Sequence, residues 1–292
     1  MNDDFRLGIV GFGFLGSSIC FGFSSCIEES DIKIYDKYKK GFNSFEDTVL
    51  GSNIIFICLP TPAFKDNGEI DLRAITENLD NIHDLVDEDN DKIIVIKSTV
   101  PPGTTDMFAE KYPKLRFIMN PEFLTGNRAK LDFLASYRVI LGGPKSDIEV
   151  VESLYRKRFG NSVLIFKTNR KSAELTKYSC NLFFFCKLIF LNTIFDTCDK
   201  LGLEYDEIRD MLFADARCGR SHMQVPGNDI DENGNKLRGV GNLCFPKDMK
   251  SFIFFAKSLG LDPKMLEAAW EQNLDYRPDK DWEKIPGAFS DR

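Results

Sequence analysis

The sequence predicts an α/β protein in which a Rossmann-like parallel-sheet domain precedes an all-helical domain built on a long central helix. Three observations carry that expectation. Short apolar, β-rich runs alternate with helical patterns through residues 1–170, a GxGxxG sits at the first strand-to-helix junction, and one uninterrupted helical pattern follows the last run. Continuous β-rich runs separated by helices indicate parallel strands covered on both faces. The expected division is a sheet domain at residues 1–170 and a helical domain at 171–292.

The first run, RLGIVGF at 6–12, leads directly into GFGFLGSSICFGF. Gly11, Gly13 and Gly16 supply a tight turn, an open backbone for a pyrophosphate and close helix–strand packing. Alone, such a turn is a weak signal. The second run, DIKIYDK, contains Asp36, about twenty residues beyond Gly16, where an acid accepts a hydrogen bond from a ribose 2′-OH and repels a 2′-phosphate. NAD is therefore the expected cofactor, in preference to NADP. The runs NIIFICLP (53–60), KIIVIKSTV (92–100), LRFIMNP (115–121) and RVILGG (138–143) complete the pattern. Three of them open into the polar, proline-containing loops LPTP, KSTVPPGTT and NPEF. Ligands of open parallel sheets bind beyond the carboxyl ends of the strands, so the three loops together mark a lined cleft.

After VLIFKT (163–168), no proline or glycine interrupts the chain until Gly202, which predicts one long helix. Its middle is apolar all round, as expected for a helix buried between layers or at a subunit interface. Glu174, Lys177 and Asn181 stand at i, i+3 and i+7, within roughly 60° of one another. An exposed Glu–Lys pair would explain the first two without any function. Leu, Phe, Cys and Ile neighbours argue against a solvated face, and a lysine leaving a buried helix can donate to an oxyanion or a sugar. The stretch 213–243 is a long polar loop holding Arg217, Arg220, His222 and Arg238. A loop of that length in a compact domain is either functional or disordered. The other histidine, His83, lies on an amphipathic helix, so His222 is the candidate base, with a merely solvated imidazole as its competing reading.

Eight cysteines show no CxxC pair and no metal-ligand spacing, so no metal site is expected. Cys244 has a distinctive setting, since Pro246 suits the first helical position and Lys247 and Asp248 follow in the first turn. A thiol just before a helix N-terminus is favoured as thiolate, and N–H groups there can hold a developing oxyanion. From these residues alone, a nucleophile and a small packed residue fit equally well.

A net charge of −7 argues against a nucleic-acid partner but leaves phosphate ligands open. The N-terminal residues show no basic-then-apolar leader, and the most apolar stretch, 180–195, carries Lys187 and is short for a span. With no export signal and no disulfide framework, the expectation is a reduced, cytoplasmic protein without a membrane partner.

Together GIVGFGFLG, FICLPTPAFKDNGEIDL, KSTVPPGTT, NPEFLTGNRAKLDF, AELTKYSCN, SHMQVPG and CFPKD resemble, in order and over nearly the whole chain, the UDP-glucose/GDP-mannose dehydrogenase family. The resemblance implies oxidation of a nucleotide sugar's primary alcohol to a carboxylate with two NAD+ in succession. UDP-glucose is the expected substrate, UDP-glucuronate the product and a homodimer the expected assembly. It implies that Cys244 forms a thiohemiacetal and then a thioester, that Lys177 and Asn181 support the oxyanion and water, and that Asp248 assists water activation, with Thr99 and Glu122 nearby. It further implies NAD contacts at Gly11, Gly13, Phe14, Leu15, Gly16, Asp36, Pro60, Thr61 and Ser98. Substrate contacts are implied at Phe123, Leu124, Lys177, Arg238, Gly239 and Lys247.

Three departures stand out. Asn242 replaces a family glycine before the cysteine, which costs least if the backbone there has positive φ. Gly126 replaces a second glutamate after NPEFL, which implies slower thioester hydrolysis. Asn192-Thr193 stands where the family's long helix has an asparagine-glutamate pair. The terminal NLDYRPDKDWEKIPGAFSDR reads as a charged tail, so the expectation is a compact form lacking the family's C-terminal nucleotide-binding domain. The rival expectations are another NDP-hexose as substrate, or a weakly active or non-catalytic binding homologue.

Overall fold

In the computed structural model, which describes residues 4–292, the apolar runs become strands β1 (Leu7–Val10), β2 (Ile32–Tyr35), β3 (Ile54–Ile57), β4 (Ala63–Phe64), β5 (Ile93–Ile96), β6 (Arg116–Met119), β7 (Arg138–Gly142) and β8 (Leu164–Thr168). The chain divides into two compact units. One comprises the chain through Thr61 with Leu72–Lys177, and the other comprises Pro62–Asp71 with Tyr178–Arg292.

In the first unit seven strands form one sheet in the order β2-β1-β3-β5-β6-β7-β8. β1, β3 and β5 are buried at every position. Each strand therefore presents apolar side chains to both faces, which is why these segments read as continuous runs and not as alternating ones. On one face α1 (Phe14–Phe23), α5 (Ala129–Leu134) and α6 (Lys145–Phe159) cover a core of Leu15, Ile19, Phe23, Phe133 and Leu154 among others. The opposite face is covered by α2 (Phe45–Leu50), α3 (Arg73–Leu85) and α4 (Thr104–Lys111). Ile75, Leu79 and Ile82 of α3 recur at helical spacing and are fully buried, each burial being worth roughly 1.5–3 kcal/mol.

The sheet departs from all-parallel at one place. β7 meets β6 antiparallel through Met119 and Gly142, while β7 and β8 are parallel to each other. The 120–137 link does not cross back to the amino end of the sheet. It passes through α5, so β7 re-enters from the carboxyl side, and the Asn120 amide fastens the turn by donating to the Ile140 carbonyl.

The second unit is helical, as expected, and is built on α7 (Arg170–Leu201) from Tyr178 onward. Tyr178, Leu182, Phe185 and Ile189 form its buried row, joined by Val240 and Met249. α9 (Phe245–Ser258) and α10 (Lys264–Tyr276) supply the rest of that core, and α8 (Tyr205–Leu212) packs with Leu191, Cys198, Phe213 and Val225 in a second cluster. α7 is not buried all round within this chain: Phe183 is 62% and Phe190 55% exposed, so burial between layers does not account for its whole apolar surface. α7 is long and apolar enough to cross a membrane by length and composition alone, but one row of its apolar residues forms the core just described.

The terminal segment is also more structured than its charge suggested. Trp282 is buried beside Trp270, and β9 (Phe289–Ser290) pairs in parallel with β4. Two buried apolar anchors, Trp282 and Ala288, hold a segment whose remaining residues are mostly polar.

Candidate active site

The first unit forms its cofactor cradle from backbone. Gly11 has φ +94 and its N–H donates to the Tyr35 carbonyl at 2.9 Å, turning the chain sharply after β1. A Cβ at Gly16 would lie 2.0 Å from the Gly11 carbonyl oxygen, so only glycine lets α1 start this close to the turn. At Gly13 a Cβ would meet no protein atom within 4 Å, which leaves open space above the helix start. α1 has neither a side-chain cap nor an acid in its first turn, so the N–H groups around Phe14 and Leu15 remain available as donors to an anion. Asp36 Oδ2 accepts from the Phe12 N–H at 2.8 Å, and Oδ1 accepts from the N–H groups of Tyr38 and Lys39. The carboxylate is thereby tied to the glycine turn and retains lone-pair capacity for a ribose hydroxyl. These residues fit a dinucleotide.

Around the strand ends, several expected site residues brace one another. Ser98 Oγ donates to the Leu59 carbonyl at 2.7 Å and accepts from the Leu59 N–H at 3.0 Å. Thr61 Oγ1 donates to the Thr99 carbonyl at 2.8 Å, while Pro60 is exposed beside it. Glu122, at the end of β6, is buried and receives two donors: Lys177 Nζ at 2.9 Å on Oε1 and the Leu124 N–H at 2.6 Å on Oε2. Lys177 is buried as well, and the Phe123 ring lies 5.6 Å from its ammonium. Glu174 turns elsewhere. It is fully buried and accepts from the Gly103 and Thr105 N–H groups at 2.6 and 2.7 Å, capping α4. Burial pushes its carboxyl upward against those hydrogen bonds. The exposed Glu–Lys pair considered from sequence is therefore absent, since each residue serves a different partner.

Sequence reading passed over Lys97. Its ammonium donates to Asn120 Oδ1 at 3.0 Å, and Tyr155 OH donates to the same oxygen at 2.5 Å. Burial lowers Lys97 to about 8 and raises the neighbouring Cys58 thiol to about 12. A lysine inside an otherwise apolar strand end was the available signal.

The second unit carries the cysteine. Cys244 is the N-cap residue of α9, half-buried, and its carbonyl accepts from the Asp248 N–H at 2.9 Å. Asp248, 1% exposed, accepts from Asn181 Nδ2 at 2.6 Å and from Lys247 Nζ at 2.5 Å. Asn181 and Lys247 are buried too, so amide, ammonium and carboxylate cluster at the helix start that Cys244 caps. Arg238 points to α7, where it pairs with Asp196 at 2.6 Å and donates to the Asn192 carbonyl at 3.1 Å. Gly239 N–H donates to Asn192 Oδ1 at 3.1 Å. Asn192, which keeps the asparagine of the family's pair, thus has structural partners, and the departure from the family pattern falls on Thr193. His222 stacks on Phe184 with ring centroids 4.0 Å apart, and desolvation first, then Lys187, holds it below the ordinary histidine range. Lys187 donates to the carbonyls of Cys218, Gly219 and Ser221, gathering that loop.

A doubly wound sheet with a glycine-turn cradle, followed by a helical unit, defines the dinucleotide-dependent dehydrogenase class. Residues 34–159 match the NAD binding domain of the UDP-glucose/GDP-mannose dehydrogenase family, and residues 171–275 match the family's central domain. The chain belongs to this family, and its first unit is an NAD-binding domain. It is 31% identical to the UDP-glucose 6-dehydrogenase TuaD of Bacillus subtilis over 80% of this chain and 49% of that protein. A UDP-glucose dehydrogenase structure from Pyrobaculum islandicum superimposes with a TM-score of 0.79 at 25% identity, covering 94% of this chain and 69% of that one. A 3-hydroxyisobutyrate dehydrogenase of Mycobacterium tuberculosis shares the fold, with a TM-score of 0.73 at 14% identity and 94% of both chains covered. The chain spans about half to two thirds of the length of the curated UDP-glucose 6-dehydrogenases it matches, 49% of one and 66% of another.

Proposed function

We propose that this protein oxidises the primary alcohol of a nucleotide sugar to the carboxylate, with UDP-glucose as substrate and Cys244 as covalent anchor. The observation that carries this reading is Cys244 at the start of α9, beside an Asp248 whose two oxygens are held by Asn181 and Lys247. A four-electron oxidation has to retain its aldehyde midway, and a thiol does this by covalent addition.

NAD+, when bound, supplies the hydride acceptor for each of the two oxidations. In this reading the alcohol first loses a hydride and a proton to become the aldehyde. The Cys244 thiolate adds to the carbonyl carbon, giving a thiohemiacetal, and loss of a second hydride and of the hydroxyl proton leaves a thioester. Water attacks that carbonyl, the thiolate departs, and the carboxylate is released with two NADH formed. Lys177, fixed by Glu122, donates to the developing oxyanion. Asp248, oriented by Asn181 and Lys247, takes a proton from the attacking water. Thr99 and Glu122 serve the same water. Lys247, Phe123, Leu124 and the Arg238-Gly239 segment belong to sugar and nucleotide binding, Arg238 acting there through its hold on the loop. We place the protein in the cytoplasm and read it as a homodimer, the exposed Phe183 and Phe190 on α7 supporting the second of these.

The fold alone fits a second chemistry, a single two-electron oxidation of a hydroxy acid. Counting NADH formed per UDP-sugar consumed separates the two readings. Two equivalents and a uronic acid are expected with UDP-glucose. One equivalent would move the protein to simple alcohol dehydrogenases, and none across a panel of NDP-hexoses would end the catalytic reading.

A further inference from the structure

Five consecutive residues approach the cysteine turn; side chains from other segments bond four of them, and the fifth, Gly241, lies against Arg277. The Arg238 carbonyl accepts from Arg277 Nη1 at 3.2 Å, and the Gly239 N–H donates to Asn192. Val240 exchanges two bonds with Asn273, its N–H donating to Oδ1 at 2.6 Å and its carbonyl accepting from Nδ2 at 2.9 Å. Arg277 lies so close to Gly241 that a Cβ there would meet Nη2 at 2.3 Å. The Asn242 N–H donates to Asp281 Oδ2 at 3.1 Å, and its Nδ2 donates to Asp229 Oδ2 at 2.9 Å. Cys244 follows two residues later.

Arg277 is the hub of this arrangement. It is 2% exposed, and its planar fork meets Asp281 in two bonds, Nε to Oδ1 at 3.1 Å and Nη2 to Oδ2 at 3.0 Å. Nη2 also donates to Asp229 at 3.2 Å. Of the three carboxylates around the guanidinium, the two hydrogen-bonded to it, Asp281 and Asp229, hold Asn242 as well, while Asp279 lies at 3.8 Å. A lysine offers no such planar, several-directional donor set. Asn242 itself has φ +66, a conformation that asparagine tolerates better than other side chains except glycine.

We propose that Arg277, together with Asp281 and Asp229, is the positioning device of the cysteine loop, and that Asn242 is a working member of it. A glycine at 242 would adopt the same backbone but could not make the bond to Asp229. The substitution of a family glycine thus adds an anchor point. A segment bonded at four of five residues and packed against Arg277 at the fifth has few conformers to lose, so the thiol is delivered to its partner in one geometry. This inference rests on the reading of Cys244 as the nucleophile.

The test uses the full chain and the variants Arg277→Met, Asp281→Asn and Asn242→Gly. Each is scored by kcat and KM for NADH formation with UDP-glucose, and by the rate of Cys244 alkylation with iodoacetamide, read by peptide mass. We expect Arg277→Met to lower kcat by about tenfold or more, and Asn242→Gly by about threefold, with the KM for NAD unchanged. Asp281→Asn keeps an acceptor for the Asn242 N–H and should lower kcat less than Arg277→Met does. The alkylation rate of Cys244 should shift by severalfold in the first two variants. If Arg277→Met does not fold, Asn242→Gly decides the matter, because glycine accepts its φ without strain. Unchanged or faster turnover in Asn242→Gly with an unchanged alkylation rate overturns the proposal. If the wild-type protein forms no NADH from UDP-glucose, the functional reading falls, while the alkylation rates still decide the clamp.

Discussion

The turn before α1 and the turn before α9 both bring backbone to the start of a helix, but they are held differently. Gly11, Phe12 and Gly13 are shaped mainly by the chain's own backbone, with a positive φ at Gly11, its N–H on the Tyr35 carbonyl and a helix so close that Gly16 admits no Cβ; one side chain, Asp36, adds a bond to the Phe12 N–H. The approach to Cys244 is held by side chains from distant segments, namely Asn192, Asn273, Arg277 and Asp281. A cradle for a pyrophosphate has only to present N–H groups, which backbone does unaided. A nucleophile has to be aimed, and here aiming is the work of buried charged and amide groups.

Substitutions should separate the two turns, beginning with the largest effect. Cys244→Ser is expected to lower uronic acid formation by on the order of a thousandfold or more while leaving NAD affinity unchanged, as activity assays and NAD titration would report. Equal turnover in that variant would leave the cysteine turn with a packing role only. Lys177→Met strands a buried Glu122 carboxylate and should lower stability by about 3–5 kcal/mol in urea unfolding.

The buried lysines extend the comparison. Lys247 lies against the Asp248 carboxylate, whereas Lys97 donates to the Asn120 amide and is depressed by burial to about 8. Below pH 8 the folded protein holds a buried ammonium that the unfolded chain keeps hydrated, so the full penalty applies there. As pH rises from about 8 toward the unfolded value of 10.5, the folded protein sheds that proton and the penalty fades. The stability gained by Lys97→Met relative to wild type should therefore shrink by roughly 2–3 kcal/mol between pH 7 and pH 10, as denaturant titrations at the two pH values would show. A gap independent of pH would remove Lys97 from the titrating groups. Smallest, Gly16→Ala should destabilise by about 1–3 kcal/mol and weaken NAD binding without changing the alkylation rate of Cys244. Thermal unfolding and the same alkylation assay would check it, and a changed thiol rate would show that the turns are coupled.

Legibility follows the same divide. The strands could be read because burial on both faces leaves continuous apolar runs, and the cradle because glycine spacing is a local requirement. Cys244 was distinctive through Pro246 and the first-turn Lys247 and Asp248, all within a few residues of it. Arg277 and Asn273 were not readable, because nothing in YRPDK or EQNL indicates which loop they will hold. The antiparallel entry of β7 was equally hidden, since the direction of a strand depends on the path of its linker and not on its own residues. Glu174 was misleading for a related reason: helical spacing placed it beside Lys177, but the N–H groups it caps belong to α4, about seventy residues earlier in the chain.

The central claim is that the thiol of Cys244 carries the substrate through the second oxidation. Slowing water activation with Asp248→Asn, then quenching with acid during turnover of UDP-glucose and NAD+ and mapping peptides by mass, tests it most directly. A nucleotide-sugar acyl adduct is expected on the peptide containing Cys244 and none on the other cysteines. Continued uronic acid formation with no adduct at Cys244, or an adduct on a different residue, would contradict it.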